Sequence, residues 1–330
     1  MRLEVKNLTK SFGEKEVLHG ISFNVEGGKA LGLLGRNGAG KTTTMKMLLG
    51  LTKATSGNIK VMGRDIEKYR LEILPQIGSL IESPGFYPNL TGTENLEIFA
   101  RLRRIGLYPK KKVSEQLIYL GRLRGLSKAE AKKNTDKWLA RLQVSQYADV
   151  KLETLSKGNQ QKVQLASTLV CEPEIVILDE PFSGLDPVNS KILQDVVTEL
   201  IEEGRIVIFS SHQMSYVEEF CEDIAIINNG EIALSGNLAD IKAEYGKNQL
   251  IISAVGMEAD ELAEKLLGEC TDILAVTGIH KDCVIVKNIH ELSRNELLQS
   301  VMRIGVEIST FDSYRPSLND IFVKAVGGDR

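Results

Sequence analysis

No apolar run in this chain of 330 residues approaches the ~20 that a membrane-spanning helix requires. Any role at a membrane would therefore come through a partner. The chain also lacks a CxxC pair. Its four cysteines, Cys171, Cys221, Cys270 and Cys283, are far apart and read as reduced thiols of a cytosolic protein, each a small buried hydrophobe. An excess of basic charge is missing too: 41 Lys and Arg face 44 Asp and Glu. That balance argues against a nucleic-acid binder relying on a broad basic surface. Nor does the N-terminus read as a signal peptide, because MRLEVKNLTKSF alternates apolar and polar positions as a half-buried strand does.

Hydrophobic residues make up 42% of the chain, enough for a sizeable core, and the length suits one large domain plus a small one. Residues 1–236 alternate strand-like apolar runs (30–34, 175–178, 206–210, 224–227) with longer helical patterns. This alternation predicts an α/β sheet with helices packed on it. After Ser235-Gly236 the character changes. Strands are expected at 249–254, 273–276, 283–287 and 306–311, helices at 258–267 and 291–302, and a closing helix after Pro316. The order β-α-β-β-α-β over residues 237–330 predicts a small ferredoxin-like α+β domain.

Gly35-Arg36-Asn37-Gly38-Ala39-Gly40-Lys41-Thr42 fits GxxxxGK[ST], between an apolar strand and a helical run that opens at Thr43. Glycines there let backbone N–H groups converge on phosphate oxygens, and the following helix aims its positive end at the same anion. Lys41 can reach the β- and γ-phosphates, and Thr42 can offer a hydroxyl to Mg²⁺. A second site follows the buried-strand pattern Glu174-Ile175-Val176-Ile177-Leu178, which ends in Asp179-Glu180. Ligands of open α/β sheets sit at such strand ends. Asp179 suits the Mg²⁺ shell, and Glu180 suits polarising the attacking water.

Between these two motifs lies Leu155-Ser156-Lys157-Gly158-Asn159-Gln160-Gln161-Lys162. It resembles the LSGGQ signature of the ABC ATPase family, with Lys157 at a glycine position and Asn159 at the glutamine position. Residues 1–236 as a whole are similar to that family, which implies a P-loop ABC ATPase domain with a helical subdomain over about 84–172. The resemblance implies an ATP-hydrolysing subunit that binds Mg-ATP and dimerises head to tail with itself or a related ATPase. Nucleotide contacts would come from Gly35, Arg36, Asn37, Gly38, Ala39, Gly40, Lys41, Thr42 and Thr43. Phe12 stands at the place of the adenine-stacking aromatic, with Val17 beside it. Ser156, Lys157, Gly158 and Asn159 would act on the opposite subunit's γ-phosphate, Ser156 capping the helix that presents its N–H groups. Ser183-Gly184-Leu185-Asp186 resembles the D-loop, and His212 resembles the switch histidine. Glu180, His212 and Lys41 form the implied catalytic set; Thr42, Asp179 and Glu82 form the implied metal set.

Glu82 departs from the family, whose glutamine would fall there; a carboxylate can still bind Mg²⁺. Ser317-Leu318-Asn319-Asp320-Ile321-Phe322 resembles an extension on ATPases of ABC-2-type exporters of the sodium-extrusion and bacitracin-resistance kind. The implied partner is an integral-membrane permease, with the chain peripheral on the inner face of the cell membrane and no nucleic acid bound. Two other readings stay open on sequence alone: a non-transport ABC ATPase, and a nucleotide-binding module with little turnover.

One segment repeats. GFYPNLTGTENLEIFARLR (85–103) realigns on GLYPKKKVSEQLIYLGRLR (106–124) at an offset of 21. Each copy reads as a Tyr-Pro turn followed by an amphipathic helix. Thr91-Gly92-Thr93-Glu94 makes a capping box for the first copy, and Lys112-Val113-Ser114-Glu115 caps the second less well. The better cap and its place just after Glu82 point to the first copy as the permease contact.

Overall fold

In the computed structural model the alternating N-terminal segment is β1 (Arg2–Phe12), which turns back antiparallel into β2 (Lys15–Glu26). The structure describes residues 1–80, 107–280 and 282–327. Its contacts divide the chain into two units, Met1–Asn237 and Leu238–Arg330.

In the first unit the strands continue with β3 (Ala30–Gly35), β4 (Ser56–Val61), β5 (Arg64–Asp65), β6 (Ile77–Leu80) and β7 (Ile175–Asp179). They end with β8 (Ile206–Ser210), β9 (Asp223–Asn228) and β10 (Glu231–Asn237). One sheet is antiparallel, in the order β2-β1-β4-β5. The other has the order β10-β9-β3-β8-β7-β6 and is parallel except for its β10 edge. Every residue of β3, β7 and β8 is buried. That is why these strands read as continuous apolar runs rather than alternating ones: both of their faces are covered.

Helix Lys41–Leu48 packs between the sheets. Its Met45, Met47 and Leu48 join Leu8, Leu18 and Ile21 of one sheet and Leu31, Leu33, Ile177 and Ile208 of the other in one core. Each such side chain, fully buried, contributes about 1.5–3 kcal/mol relative to exposure. The loop between β3 and this helix is thereby clamped at both ends.

Three helices, Val113–Leu123, Lys128–Arg141 and Lys157–Leu169, pack on one another within the same unit. Ser127 and Glu130 form a capping box at the second. The first belongs to the second copy of the repeat and follows its Tyr108-Pro109 turn. A weaker cap was expected from Lys112-Val113-Ser114-Glu115, and the helix has no side-chain cap at Lys112 at all. Instead the buried Gln116 closes the turn: its amide donates to the Lys111 carbonyl at 3.0 Å and accepts from the Tyr108 N–H. Glu82, the first copy of the repeat and its capping box lie outside the described residues.

The second unit holds β11 (Gln249–Ala254), β12 (Leu274–His280), β13 (Cys283–Asn288) and β14 (Ile308–Ser313) in the order β12-β13-β11-β14, each pair antiparallel. Helices Ala259–Glu269 and Arg294–Met302 make the two crossovers. This is the ferredoxin-like order, and the closing helix Leu318–Val326 follows Pro316. The helix expected at 291–302 starts later, because Glu291 is left-handed at φ 51° and Ser293 forms a capping box with Glu296. A helix that the sequence reading did not anticipate, Leu238–Tyr245, opens the unit.

All four cysteines are free thiols. Cys221 and Cys270 are buried, whereas Cys171 and Cys283 are only half-buried, so the expectation of burial holds for two of the four. Among the described residues no helix is long and apolar enough to cross a membrane.

Candidate active site

The order β3-β8-β7 brings three strand ends side by side. Gly35 ends β3, Ser210 ends β8 and Asp179 ends β7, with Asp179 and Ser210 paired in register. The loop after β3 curls over this edge. Gly40 sits at φ +116°, and a Cβ there would stand 2.5 Å from Leu18 Cδ2, so only glycine lets the loop close on β2. Gly38, at φ +81°, has nothing within 4 Å of the position a Cβ would take. Its backbone faces open space that a side chain would fill, which suits the close approach of a phosphate. The loop is braced from behind, since the Gly230 N–H donates to the Ala39 carbonyl at 3.1 Å and the Gly230 carbonyl accepts from the His19 N–H at 2.8 Å.

Lys41 is buried. Its Nζ donates to the carbonyls of Gly35 at 2.6 Å and Arg36 at 3.2 Å. Burial pushes the Lys41 ammonium below its ordinary pKa, and Glu180 and Asp179 oppose that shift. A cleft of about 190 Å³ opens over the loop. It is lined by Arg36, Asn37, Gly38, Gly40, Lys41, Thr42 and Thr43 of the loop and helix start, and by Asp179, Glu180 and His212.

Ser210 ties the Asp179 carboxylate to the Glu180 backbone. Its Oγ donates to Asp179 Oδ1 at 2.5 Å and accepts the Glu180 N–H at 3.2 Å. Glu180 itself lies in the left-handed region at φ 50°, a conformation that costs a non-glycine residue about 1–3 kcal/mol. Its Oε2 accepts the His212 N–H at 3.3 Å. Its Oε1 is buried and makes no hydrogen bond, although His212 Nε2 lies 3.2 Å away. Burial pushes the Glu180 carboxyl above the ordinary glutamate value; His212 and Lys41 pull the other way, and Asp179 reinforces the shift. Glu180 lines the cleft, so its carboxylate stands where it can accept a hydrogen bond from a molecule held there.

The remaining sequence-derived residues stand away from this cleft. Phe12 is 53% exposed, with the Lys10 ammonium 4.7 Å above its ring. The Val17 carbonyl would lie 3.5 Å from a Cβ on Gly40, so Val17 borders the loop without lining the cleft. Ser156 caps helix Lys157–Leu169, its Oγ accepting the Asn159 N–H at 3.4 Å. The first turn of that helix borders the segment after Glu180 in the same chain, through Gly158 against Leu185 and Asn189. Asp186 caps helix Pro187–Glu202; the Asn189 N–H bonded to it holds its carboxyl below the ordinary aspartate value. Thus Gly38, Lys41, Thr42, Asp179, Glu180 and His212 meet in one place, while Ser156, Lys157, Gly158, Asn159 and Asp186 form a separate surface.

Residues 18–183 match the ABC transporter family, and residues 236–326 match the C-terminal domain of DrrA1-3-like ATP-binding proteins. An uncharacterized ABC transporter ATP-binding protein of Bacillus subtilis, YhaQ, is 38% identical over 98% of both chains. The chain belongs to the ABC transporter ATP-binding protein family. The bacitracin transport ATP-binding protein BcrA of Bacillus licheniformis is 34% identical to this ABC ATPase over 99% of it and 97% of BcrA. A solved structure of an ATP-binding subunit of an ABC transporter aligns at a TM-score of 0.64 and 28% identity, covering 74% of this ABC ATPase and 94% of that chain. The protein is therefore the ATP-binding and ATP-hydrolysing subunit of an ABC transporter.

Three residues that organise the ABC ATPase site escape motif reading. Ser210 reads in the sequence only as the last residue of the strand-like run 206–210, yet it ties both acids. Gly230 braces the phosphate loop from a distant turn. Gln161 reaches out of the signature helix to the Pro181 carbonyl, 2.5 Å from its Nε2. Only Ser210 carried a local signal, its place at the end of a buried strand beside the β7 acid.

Proposed function

We propose that this ABC ATPase binds Mg-ATP in the cleft over the phosphate loop and hydrolyses it in a head-to-tail dimer that drives an integral-membrane permease. The observation that carries the reading is the convergence of Lys41, Asp179, Glu180 and His212 on one cleft, with Glu180 Oε1 buried and unsatisfied. The phosphate run from Gly35 to Thr43 holds the triphosphate through backbone N–H groups, the helix N-terminus and the Lys41 ammonium. Thr42 and Asp179, a hydroxyl and a carboxylate that both line the cleft, suit a hard oxygen-binding cation, and Glu82 is the further carboxylate proposed for it. When bound, Mg²⁺ supplies positive charge to the β- and γ-phosphate oxygens.

Glu180 orients the water and accepts its hydrogen bond as it attacks the γ-phosphorus. The bond from that phosphorus to the bridging oxygen breaks, leaving ADP and inorganic phosphate. His212 reports the γ-phosphate from the adjoining strand end. Phe12 and Val17 take the base side. Ser156, Lys157, Gly158, Asn159 and Asp186, which stand off this cleft, act on the nucleotide of the opposite subunit. That division of labour is the reason for a dimer.

The permease anchors the protein peripherally on the inner face of the membrane. The likeness of residues 236–326 to DrrA-like domains, and of the whole chain to a bacitracin transport protein, supports an ABC-2-type exporter. Two measurements test the reading together. Purified in detergent from its own membranes, the protein should carry an integral-membrane partner that stimulates its ATPase activity. Asp179→Asn should raise the Mg²⁺ concentration needed for half-maximal turnover more than it weakens ATP binding. Unstimulated activity with no membrane partner, or full activity of Asp179→Asn at unchanged Mg²⁺, contradicts it.

A further inference from the structure

The peptide that follows Glu180 is held by the signature helix. Pro181 has no N–H, so its carbonyl is the only backbone group at that position able to hydrogen-bond. The carbonyl accepts Gln161 Nε2 at 2.5 Å, a bond spanning 20 residues of sequence. Gln161 stands one turn into helix Lys157–Leu169, directly behind Ser156–Asn159.

The same helix touches the segment further along. Lys157 Nζ lies 3.4 Å from where a Cβ on Gly184 would be, and a Cβ on Gly158 would meet Asn189 Nδ2 at 3.0 Å and Leu185 Cδ2 at 3.4 Å. The helix and this segment therefore approach closely at Gly158, where a Cβ would press on the ends of the Asn189 and Leu185 side chains. Within the segment the Ser183 N–H returns to the Glu180 carbonyl at 3.1 Å. Glu180, strained at φ 50°, is thus gripped on one side by Ser210 and His212 and on the other by a turn whose anchor is Gln161.

We propose that Gln161 is a positioning residue: it ties the hydrolytic acid of a subunit to that subunit's own signature helix, so that the nucleotide sensed by Ser156–Asn159 in the partner sets the geometry of Glu180 at the first subunit's own site. This rests on the head-to-tail reading above. A helix is rigid over one turn, so a displacement of its N-terminus by a phosphate moves Gln161 with it. The Gln161–Pro181 bond passes that displacement to the peptide next to Glu180. Occupancy of one site is thereby read at the other through a chain of contacts within one polypeptide, a coupling that shows as cooperativity.

The test compares Gln161→Glu, which keeps the shape but loses the N–H donor, with Gln161→Lys, which keeps a donor of similar reach. Ser156→Arg is measured alongside. ATP affinity of the isolated subunit, kcat, KM and the Hill coefficient of ATP hydrolysis are read for each. Gln161→Glu should bind ATP as the wild type does, lose about tenfold in kcat and bring the Hill coefficient to 1. Gln161→Lys should restore most of kcat and the Hill coefficient. If Gln161→Glu keeps the wild-type kcat and Hill coefficient while Ser156→Arg loses activity, the strut fails and the composite site stands. If Ser156→Arg also keeps full activity, the head-to-tail reading fails and the proposal falls with it. Equal losses in Gln161→Glu and Gln161→Lys, or a loss of ATP affinity in both, would make Gln161 a mere packing residue and overturn the proposal.

Discussion

The two units of this ABC ATPase spend their buried polar groups very differently. Among the described residues of the first unit, Lys41, Thr44, Gln116, Thr135, Lys162, Thr168, Asp179, Ser190, Ser210 and Ser211 are all buried, whereas in the second unit Asn288 alone is. Burying a polar group is costly unless it is partnered. Asn288 is fully partnered, donating to the Leu292 carbonyl and accepting the Leu292 N–H. In the first unit Lys41, Asp179, Ser210 and Ser211 gather where β3, β7 and β8 end, beside a strained Glu180 with an unsatisfied oxygen. The second unit is built the other way, from an apolar core of Leu262, Leu266, Val284, Val286 and Val301 and from capping boxes at Ser293 and Ser317. The cleft and its buried charges belong to the first unit; the left-handed pair of the second, Asn248 at φ 59° and Glu291 at φ 51°, is satisfied by the hydrogen bond from Asn248 Nδ2 to Glu291 Oε1 at 3.1 Å.

That contrast is sharpened most by Ser156→Arg, which strikes the signature surface while sparing the phosphate loop. Turnover should fall about 100-fold, the scale of losing a positioned backbone-donor site, while ATP binding by the isolated subunit is unchanged. An equal loss of ATP affinity would place the signature at the subunit's own nucleotide and merge two surfaces that lie apart in the fold. Equilibrium nucleotide binding beside steady-state hydrolysis separates the outcomes.

A smaller effect is expected where the first unit pairs a half-buried charge away from the cleft. Glu172 receives Arg205 at 2.6 Å, Lys137 at 2.9 Å and the Trp138 indole N–H at 3.1 Å. Burial pushes its carboxyl up, but the Arg205 and Lys137 contacts outweigh this and hold it below the ordinary glutamate value. Its stabilising contribution is therefore complete above that value and is lost as pH falls through the lowered one. Glu172→Gln should cost about 1–3 kcal/mol in urea unfolding at neutral pH, and the gap to wild type should close in acid. ATP affinity should not change. A drop in ATP affinity would mean that polar burial outside the cleft also serves the chemistry.

The smallest effect is assigned to removing the second unit. A chain ending at Asn237 keeps every residue of the cleft and of the signature surface, so its ATP affinity should equal that of the full protein. Calorimetric titration of the folded truncated protein, checked by circular dichroism, decides it. Lost affinity in a folded chain would move part of the site into residues 238–330.

Much of this was legible in the residues themselves. The phosphate loop was legible because glycine positions are dictated by local backbone geometry: Gly40 leaves no room for a Cβ against Leu18, and Gly38 takes a left-handed φ. Asp179 and Glu180 were legible because a continuous apolar run must end where the sheet does. The ferredoxin-like order of the second unit followed from period and spacing alone. Gln161, Ser210 and Gly230 were not legible as organisers, because their hydrogen bonds join residues between 20 and 211 positions apart. No local period encodes such pairs. Helix Leu238–Tyr245 was missed because Gly236 read as a break, whereas it is a strand residue of β10 with φ 147°.

The central claim is that Glu180 acts on ATP already held between two copies of this surface, and Glu180→Gln tests it most directly. The variant keeps the size of the side chain and removes its carboxylate. Incubated with Mg-ATP and passed over a size-exclusion column, it should elute as a dimer retaining two ATP per two chains, with sustained hydrolysis abolished. Near-wild-type turnover, or a monomer that releases its nucleotide, would contradict the account.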